Sequence, residues 1–246
     1  MRPVYYLSFL LLVYLSLPAI SAIASLSLAD LLAMDTAPLL TSLTSSLITT
    51  AIATVFGIPL AYRISRMESG YKPFLEAIVL TPVILPPIAT GLLMLNILSP
   101  GGPAGFITEV SGIRLTRSFL GIVLAQLVVA SPFLIISAKA GFDGIDRRLE
   151  YASRLMGKGE FETFLRVSVP LARKSIIAGV MMCFVRSFGE FGATFMLAYH
   201  PTTLPVELYM YFLSGGLEKA SSVAVVFWVV SLAFVFAIRK QGDGVA

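Results

Sequence analysis

The sequence predicts an all-α membrane protein that crosses the bilayer six times. Of its 246 residues, 57% are apolar and only 13% are charged, whereas about a quarter of the residues in a soluble domain carry charge. Its mean hydropathy is +0.88. Six apolar runs reach the length of about 18 residues that a helix needs to cross a bilayer. These observations exclude an ordinary soluble enzyme and a disordered or fibrous chain.

Each predicted span is an apolar run bounded by charged residues, proline or glycine. The runs cover residues 4–26, 39–62, 74–98, 118–138, 176–199 and 220–238. The first run also fits a cleavable signal peptide, because Arg2 precedes an apolar stretch that leads to Ala22-Ile23-Ala24. We expect an uncleaved helix there, since the apolar stretch continues to Leu28, and cleavage near residue 24 is the alternative.

The second run is the most polar of the six. Its hydroxyl side chains are Thr41, Ser42, Thr44, Ser45, Ser46, Thr49 and Thr50. Such hydroxyl groups can bond to carbonyl groups of their own helix or to a neighbouring helix. We therefore expect this helix to face protein rather than lipid.

The distribution of basic residues predicts the orientation of the chain in the membrane. With the N-terminus placed in the cytoplasm, the inner segments hold fourteen Lys and Arg residues and the outer loops hold three. Cytoplasmic loops characteristically carry this excess of positive charge. We therefore expect a multi-pass protein of the cell membrane, with both termini in the cytoplasm.

The chain lacks the residues that several kinds of chemistry need. Cys183 is its single cysteine and His200 its single histidine, so it cannot form an internal disulfide, a cysteine-cluster metal site or a His-pair zinc site. The Gly- and Pro-rich residues 99–103 lack the Lys-Ser/Thr of a phosphate-binding loop, and no Walker-type loop occurs elsewhere. We expect no enzymatic activity, cofactor or metal in this chain. Any ATP hydrolysis must belong to another chain.

The segment between the fourth and fifth spans, residues 141–175, is far longer than a simple connection between helices needs. One face of its first predicted helix holds the apolar residues Ile145, Leu149, Ala152 and Met156. The opposite face holds Asp146, Arg147, Glu150 and Arg154. A second amphipathic piece carries Phe161, Phe164 and Leu165. The segment is either a pair of helices on the membrane surface or a docking element for a soluble partner.

Part of this segment resembles the cytoplasmic loop of ABC importer permeases. The family pattern is roughly E-x-A-A-x-x-x-G, then nine residues, then I-x-L-P, and Glu150, Ala152, Gly157 and Pro170 stand at matching positions. In that family the loop forms the coupling helix, which sits in a groove of the ATPase subunit. The resemblance implies that the residues that couple this chain to an ATPase are Glu150, Tyr151, Ala152, Ser153, Leu155, Met156, Gly157 and Phe161.

The fifth span contains two charged residues, Arg186 and Glu190. Each charge near a bilayer centre costs about 2.5–3.5 kcal/mol, so both side chains should face protein or water. Four residues apart, they share a helix face and can neutralise each other. The pair either holds helices together or lines an anion path, in which Glu190 balances the charge of Arg186 when no anion is present.

The stretch from Arg186 to Ala193 resembles the R-x-x-x-E-F-G-A motif of permeases for molybdate, tungstate and sulfate. The stretch from Thr81 to Gly91 resembles a proline-rich run of the same group. Its two adjacent prolines predict either a broken helix that lines a cavity or a loop before a span that begins at Ile88. The resemblance implies a translocation path that includes Arg186, Gly189, Glu190, Thr194, Pro86 and Pro87.

The two resemblances together cover residues 39–239 and imply a single permease domain of the type I ABC importer kind over residues 1–246. The implied function is ATP-driven import of a tetrahedral oxyanion, molybdate or tungstate. The alternatives are a sulfate or thiosulfate permease and, in a different class, a secondary transporter driven by an ion gradient. The implied partners are two ATPase subunits that hold ATP and Mg, a second permease copy in a homodimer, an extracytoplasmic oxyanion-binding protein and the lipid bilayer. We expect no nucleic-acid partner.

Overall fold

The computed structural model describes residues 2–24 and 34–243, and this part of the chain contains helices and no strands. The helices are α1 (Arg2–Ala24), α2 (Ala37–Arg66), α3 (Lys72–Ile84), α4 (Pro87–Leu98), α5 (Phe106–Ser111), α6 (Phe119–Asp143), α7 (Arg147–Leu155), α8 (Glu160–Thr163), α9 (Val169–Leu171), α10 (Arg173–Phe188), α11 (Gly192–Leu197) and α12 (Leu204–Asp243). Helix α12 is kinked at Gly216, whose φ of +72° is not helical. A π-helical turn, Phe164–Ser168, joins α8 to α9. The all-α prediction is confirmed.

Helical structure lies on each of the six predicted spans. Among the described residues, α2 and α6 are long and apolar enough to cross a membrane as single helices. Two bent pairs of helices pass the same test of length and composition only when each pair is taken together: α3 and α4 meet at 111°, and the segment from α8 to α9 meets α10 at 80°. Each pair is either a broken span or a re-entrant loop, so the described residues hold two to four candidate spans and the six crossings stay a prediction. The first and last predicted spans fall on α1 and α12, whose apolar parts are Ser8–Ser21 and Ala220–Phe234.

Helices α2, α6 and α10 pack together at the centre of the bundle. As predicted, the polar face of α2 is buried against protein. Thr49 donates a hydrogen bond to Oε1 of Gln126 on α6 at 3.0 Å, and Nε2 of Gln126 donates to Ser45 at 3.1 Å. Ser42 accepts a hydrogen bond from the backbone N–H of Leu204, which opens α12, at 2.8 Å. These pairings satisfy polar groups that would otherwise be costly inside a bilayer.

The third span is broken at its adjacent prolines, with helix on both sides of the break. Leu85 adopts an extended conformation, as residues before proline prefer, and this ends α3. Pro87 then opens α4, where its missing N–H would have had no helical partner in any case. The alternative, a loop that merely precedes a helix, is therefore wrong.

The fifth predicted span, residues 176–199, is not one continuous helix. Helix α10 ends at Phe188, where the N–H of Gly189 closes the last turn, and α11 begins only at Gly192. A Cβ atom on Gly192 would lie 3.0 Å from Cβ of Pro87 and 2.9 Å from the backbone nitrogen of Ile88. The break in the fifth span therefore packs against the break in the third span, and only glycine fits at this contact.

Candidate functional site

The predicted coupling segment forms a short helix, α7, with defined ends. Asp146 caps its N-terminus by accepting a hydrogen bond from the N–H of Arg148 at 2.9 Å. Gly157 follows its last turn with φ of +84°, a left-handed conformation that glycine adopts without steric cost. The chain then turns back into α8, so α7 stands as a separate helix at the end of the bundle where α2 ends.

The outward side of this segment carries large apolar side chains beside the exposed Arg148 and Arg154. Tyr151, Leu155, Met156 and Phe161 are between 57% and 89% exposed, and we call these four residues the docking patch. Ala152 is exposed beside them. Large apolar side chains that stay exposed together mark a surface that contacts another protein or a membrane.

The side of α7 that faces the bundle carries polar residues. Glu150 is only 5% exposed, and Ser153 is buried as well. The two faces predicted for this segment do not correspond to one buried and one exposed side, because Ile145 and Glu150 are both buried and Leu149 and Arg154 are both exposed. Each of the two buried polar residues has a partner from elsewhere in the chain.

Glu150 is held by residues that lie far from it in the sequence. Arg66, the last residue of α2, donates from Nε to Oε2 and from Nη2 to Oε1, both at 2.9 Å. Ser168, in the π-helical turn, donates to Oε1 at 2.7 Å. We call these three residues the α7 anchor. A second contact, between the hydroxyl groups of Ser153 and Thr163 at 3.0 Å, ties α7 to α8.

The charge of Glu150 is maintained by its partners. Burial alone would raise the pKa of this carboxyl group. The hydrogen bonds from Arg66 and Ser168, together with the positive charge of Arg66, outweigh burial and leave the pKa lowered. The anchor is therefore an ion pair at neutral pH.

Aromatic side chains pack beside the Arg66 end of the anchor. The ring of Tyr62 lies 5.3 Å from that of Phe142 and 4.9 Å from that of Phe164, measured between centroids. The guanidinium carbon of Arg66 lies 5.6 Å from the centroid of the Tyr62 ring, within the range of a cation–π contact. The end of α2 is thus packed against α6 and against the turn that leads to α10.

The charged pair of the fifth span lies at the break between α10 and α11. Nη1 of Arg186 is 2.5 Å from Oε2 of Glu190, and the side chains are 28% and 1% exposed. The other carboxylate oxygen, Oε1, accepts a hydrogen bond from the N–H of Ala193 at 2.8 Å. Although α10 ends two residues before Glu190, the carboxylate still reaches Arg186. Glu190 therefore both neutralises Arg186 and satisfies an N–H group in the first turn of α11.

The structure brings most of the predicted path residues to this region. Gly189 lies between the two charged residues, and Thr194 is buried in α11, where its hydroxyl group has no hydrogen-bond partner within the described residues. Pro87 reaches the same region through its contact with Gly192, whereas Pro86 is exposed at the break. Arg186 also lines an open cavity of about 380 Å³ whose other walls are apolar.

Three residues that hold α7 in place were not predicted. Arg66 and Ser168 bind Glu150, and Thr163 binds Ser153. Arg66 entered the sequence argument only as one of the inner basic residues, and it lies 84 positions before Glu150. Spacing along a helix cannot pair residues so far apart. Arg66 stands at the end of a long apolar run, but the exposed Arg63 shares this local feature, so the sequence alone does not single out Arg66.

The described helices form a bundle in which two bent helix pairs lie near an ion pair with a buried carboxylate, and a separate helix presents apolar side chains outward. The family of the chain follows from sequence comparison. The chain belongs to the family described as the inner membrane component of binding-protein-dependent transport systems, whose model matches residues 53–241.

Two named relatives agree with this family, and a solved structure shares the fold. A probable molybdenum ABC transporter permease protein of Haloferax volcanii is 42% identical over 201 residues, which cover 82% of this chain and 73% of that protein. A molybdate/tungstate transport system permease protein of Methanocaldococcus jannaschii is 32% identical over 202 residues, covering 82% and 80%. A bacterial ABC transporter involved in the import of the polysaccharide alginate superimposes with a TM-score of 0.76 at 14% identity, over 100% and 96% of the two chains.

Proposed function

We propose that the chain is the permease subunit of an ATP-driven importer for a tetrahedral oxyanion, molybdate or tungstate. The observation that carries this proposal is the identity of 42% to a molybdenum transporter permease, which extends along 82% of the chain. The relative of 32% identity is named for the same pair of oxyanions. The half-buried Arg186, paired with the buried Glu190, supplies a cationic group of the kind that an anion path requires.

The proposal assigns ATP hydrolysis to separate ATPase subunits, which hold ATP and Mg, and gives this chain no catalytic role. Each ATPase subunit would seat the docking patch, formed by α7 and the start of α8, in a groove. A permease of this type responds to its partners only if they favour one conformation of the bundle over another. ATP binding would move α7 and open the bundle outward, and hydrolysis would return it to the inward-open state.

The proposed assembly contains two copies of the chain, because one chain supplies one α7 and two ATPase subunits need two. The side of α10 that carries Met182 and Val185 is exposed beside the cavity at Arg186, which suits a face shared by two copies. An extracytoplasmic oxyanion-binding protein would dock at the opposite end of the bundle from α7. Both termini would lie in the cytoplasm, on the side where the basic residues concentrate.

Within the path, Arg186 would attract the oxyanion and Glu190 would neutralise Arg186 between transport events. The alternative role of the pair is to hold α10 and α11 together. The cap that Glu190 gives to α11 supports that structural role, and the 28% exposure of Arg186 beside a cavity supports the role in the path. The two roles are separable by experiment, as described in the Discussion.

The test is uptake in proteoliposomes that contain the permease and its ATPase, with the binding protein outside. We expect tungstate uptake that requires ATP inside the vesicles and is blocked by excess molybdate but not by excess sulfate. Preferential competition by sulfate would instead favour the sulfate or thiosulfate permease. Uptake driven by an ion gradient without the ATPase would contradict the proposal in favour of a secondary transporter.

A further inference from the structure

We propose that Arg66 is a positioning residue whose ion pair with Glu150 carries the movement of α7 into the membrane-spanning helices. This inference rests on the proposed function, since it concerns how a partner at α7 would drive the permease. It assigns to Glu150 a role inside its own chain, and it adds Arg66, which no family pattern in the sequence indicated.

The contact between Arg66 and Glu150 has a defined geometry. Arg66 meets Glu150 with two nitrogens on two oxygens, an arrangement that fixes both distance and orientation. Side-chain exposure is 15% for Arg66 and 6% for Glu150, so water screens the pair weakly. Such a contact resists sliding and rotation in a way that a single point charge does not.

Glu150 lies between three parts of the fold: α7, α2 and the turn before α10. Helix α7 itself packs against α8 and the π-helical turn, which follow it in the chain. Arg66 adds the connection to α2, and Ser168 adds the connection to the turn that enters α10. A displacement of α7 therefore reaches α2 and α10 through one carboxylate group.

Helices α2 and α10 connect the anchor to distant parts of the molecule. Helix α2 is continuous for 30 residues from Ala37 to Arg66, about 45 Å at 1.5 Å per residue. Near its far end, Ser42 holds the first residue of α12. Helix α10 leads from the anchor to Arg186 and the break at Glu190. Through the anchor, movement of α7 would reach two places. One is the far end of α2 at the opposite membrane face, and the other is the Arg186–Glu190 pair at the end of α10.

The anchor differs from an ordinary surface contact because it is largely shielded from water. A second ion pair, Arg147 with Glu68, also joins the start of α7 to the residues just after α2. Both of its side chains are exposed, and exposed pairs contribute little. It is therefore a matched control that links the same two parts of the chain without burial.

The experiment uses the complete permease–ATPase complex in proteoliposomes and measures ATP hydrolysis and oxyanion uptake on the same sample. We expect Arg66→Ala to leave binding of the ATPase intact while uptake per ATP hydrolysed falls about tenfold, within the usual range of coupling between sites. Arg66→Lys keeps the charge but not the two-nitrogen contact, and we expect an intermediate value. The charge swap Arg66→Glu with Glu150→Arg should recover part of the loss, and Arg147→Ala should behave as wild type.

The inference is overturned if uptake per ATP in Arg66→Ala and Arg66→Lys equals that of the wild type. It is also overturned if both variants lose ATPase binding and uptake in equal proportion, since the pair would then serve only to fold the segment. A wild-type complex that hydrolyses ATP but takes up no oxyanion would instead contradict the proposed function, so the two failures are distinguishable.

Discussion

Gly91 on α4 and Ala193 on α11 meet backbone to backbone where the two broken spans cross. A Cβ atom on Gly91 would lie 2.8 Å from Cα of Ala193 and equally close to its carbonyl oxygen. Backbone atoms cannot swing aside as the end of a flexible side chain can. This crossing therefore depends on the absence of a side chain at position 91, and it holds the α11 end of the fifth span against the third.

The first prediction follows from this crossing. Gly91→Ala forces α4 and α11 apart, and we expect it to destabilise the fold by about 1–3 kcal/mol, the range for overpacking of a close contact. The measurement is thermal unfolding of the purified permease in detergent. Gly70→Ala is the control, because nothing lies within 4 Å of the position its Cβ would take. Equal unfolding temperatures for the two variants would contradict the close approach.

The second prediction separates the two roles of Arg186. Removing this residue alone leaves Glu190 buried and unpaired, which costs about 3–5 kcal/mol, so the single variant cannot distinguish transport from folding. The double variant Arg186→Gln with Glu190→Gln removes both charges and keeps an acceptor for the N–H of Ala193. We expect it to unfold near the wild-type temperature.

In the same double variant we expect oxyanion uptake to fall about tenfold or more, because a hydrogen bond from a charged group contributes about 1.5–3 kcal/mol. The measurement is uptake at several oxyanion concentrations in proteoliposomes. If the double variant is stable and transports at the wild-type rate, the Arg186–Glu190 pair has a structural role only.

The third prediction concerns the docking patch. Leu155 is 89% exposed, so Leu155→Asp should leave the fold intact. We expect it to weaken ATPase binding by about 2 kcal/mol or more if this side chain sits at the centre of the interface. Co-purification and titration of the ATPase measure this effect. Ile113→Asp, at another exposed apolar residue outside the coupling segment, should bind the ATPase normally.

The fourth prediction is a pH dependence that belongs to Glu150. Its pKa is lowered in the folded protein, so the stabilisation from its ion pair is fully present above the ordinary value of 4.5. That stabilisation is lost as the pH falls below 4.5 through the lowered value in the folded state. We expect the wild type to be more stable than Glu150→Gln at pH 7 and this difference to shrink at pH values below 4.5. Thermal unfolding of both proteins across this range is the measurement, and a difference that grows on acidification would contradict the assignment.

Composition and hydropathy were sufficient to predict an all-α protein of the membrane class, because a bilayer demands long apolar runs whatever the packing. The spacing from Glu150 to Pro170 was sufficient to identify the segment that becomes α7 and the turns after it. The faces of α7 could not be predicted in the same way. Amphipathic spacing assumes that charged residues face water, and that assumption fails for Glu150, whose partner Arg66 is only 15% exposed.

The amino-acid sequence alone therefore establishes local features: which stretches can span a bilayer, where prolines and glycines interrupt a helix, and which charges need a partner. The tertiary structure decided which of these features meet. It placed the break at Pro87 against Gly192, and it placed Arg66 on Glu150 across 84 positions of sequence. The physical reason is that an interruption or a buried charge states a requirement for a partner, whereas the partner is chosen by how separate helices pack.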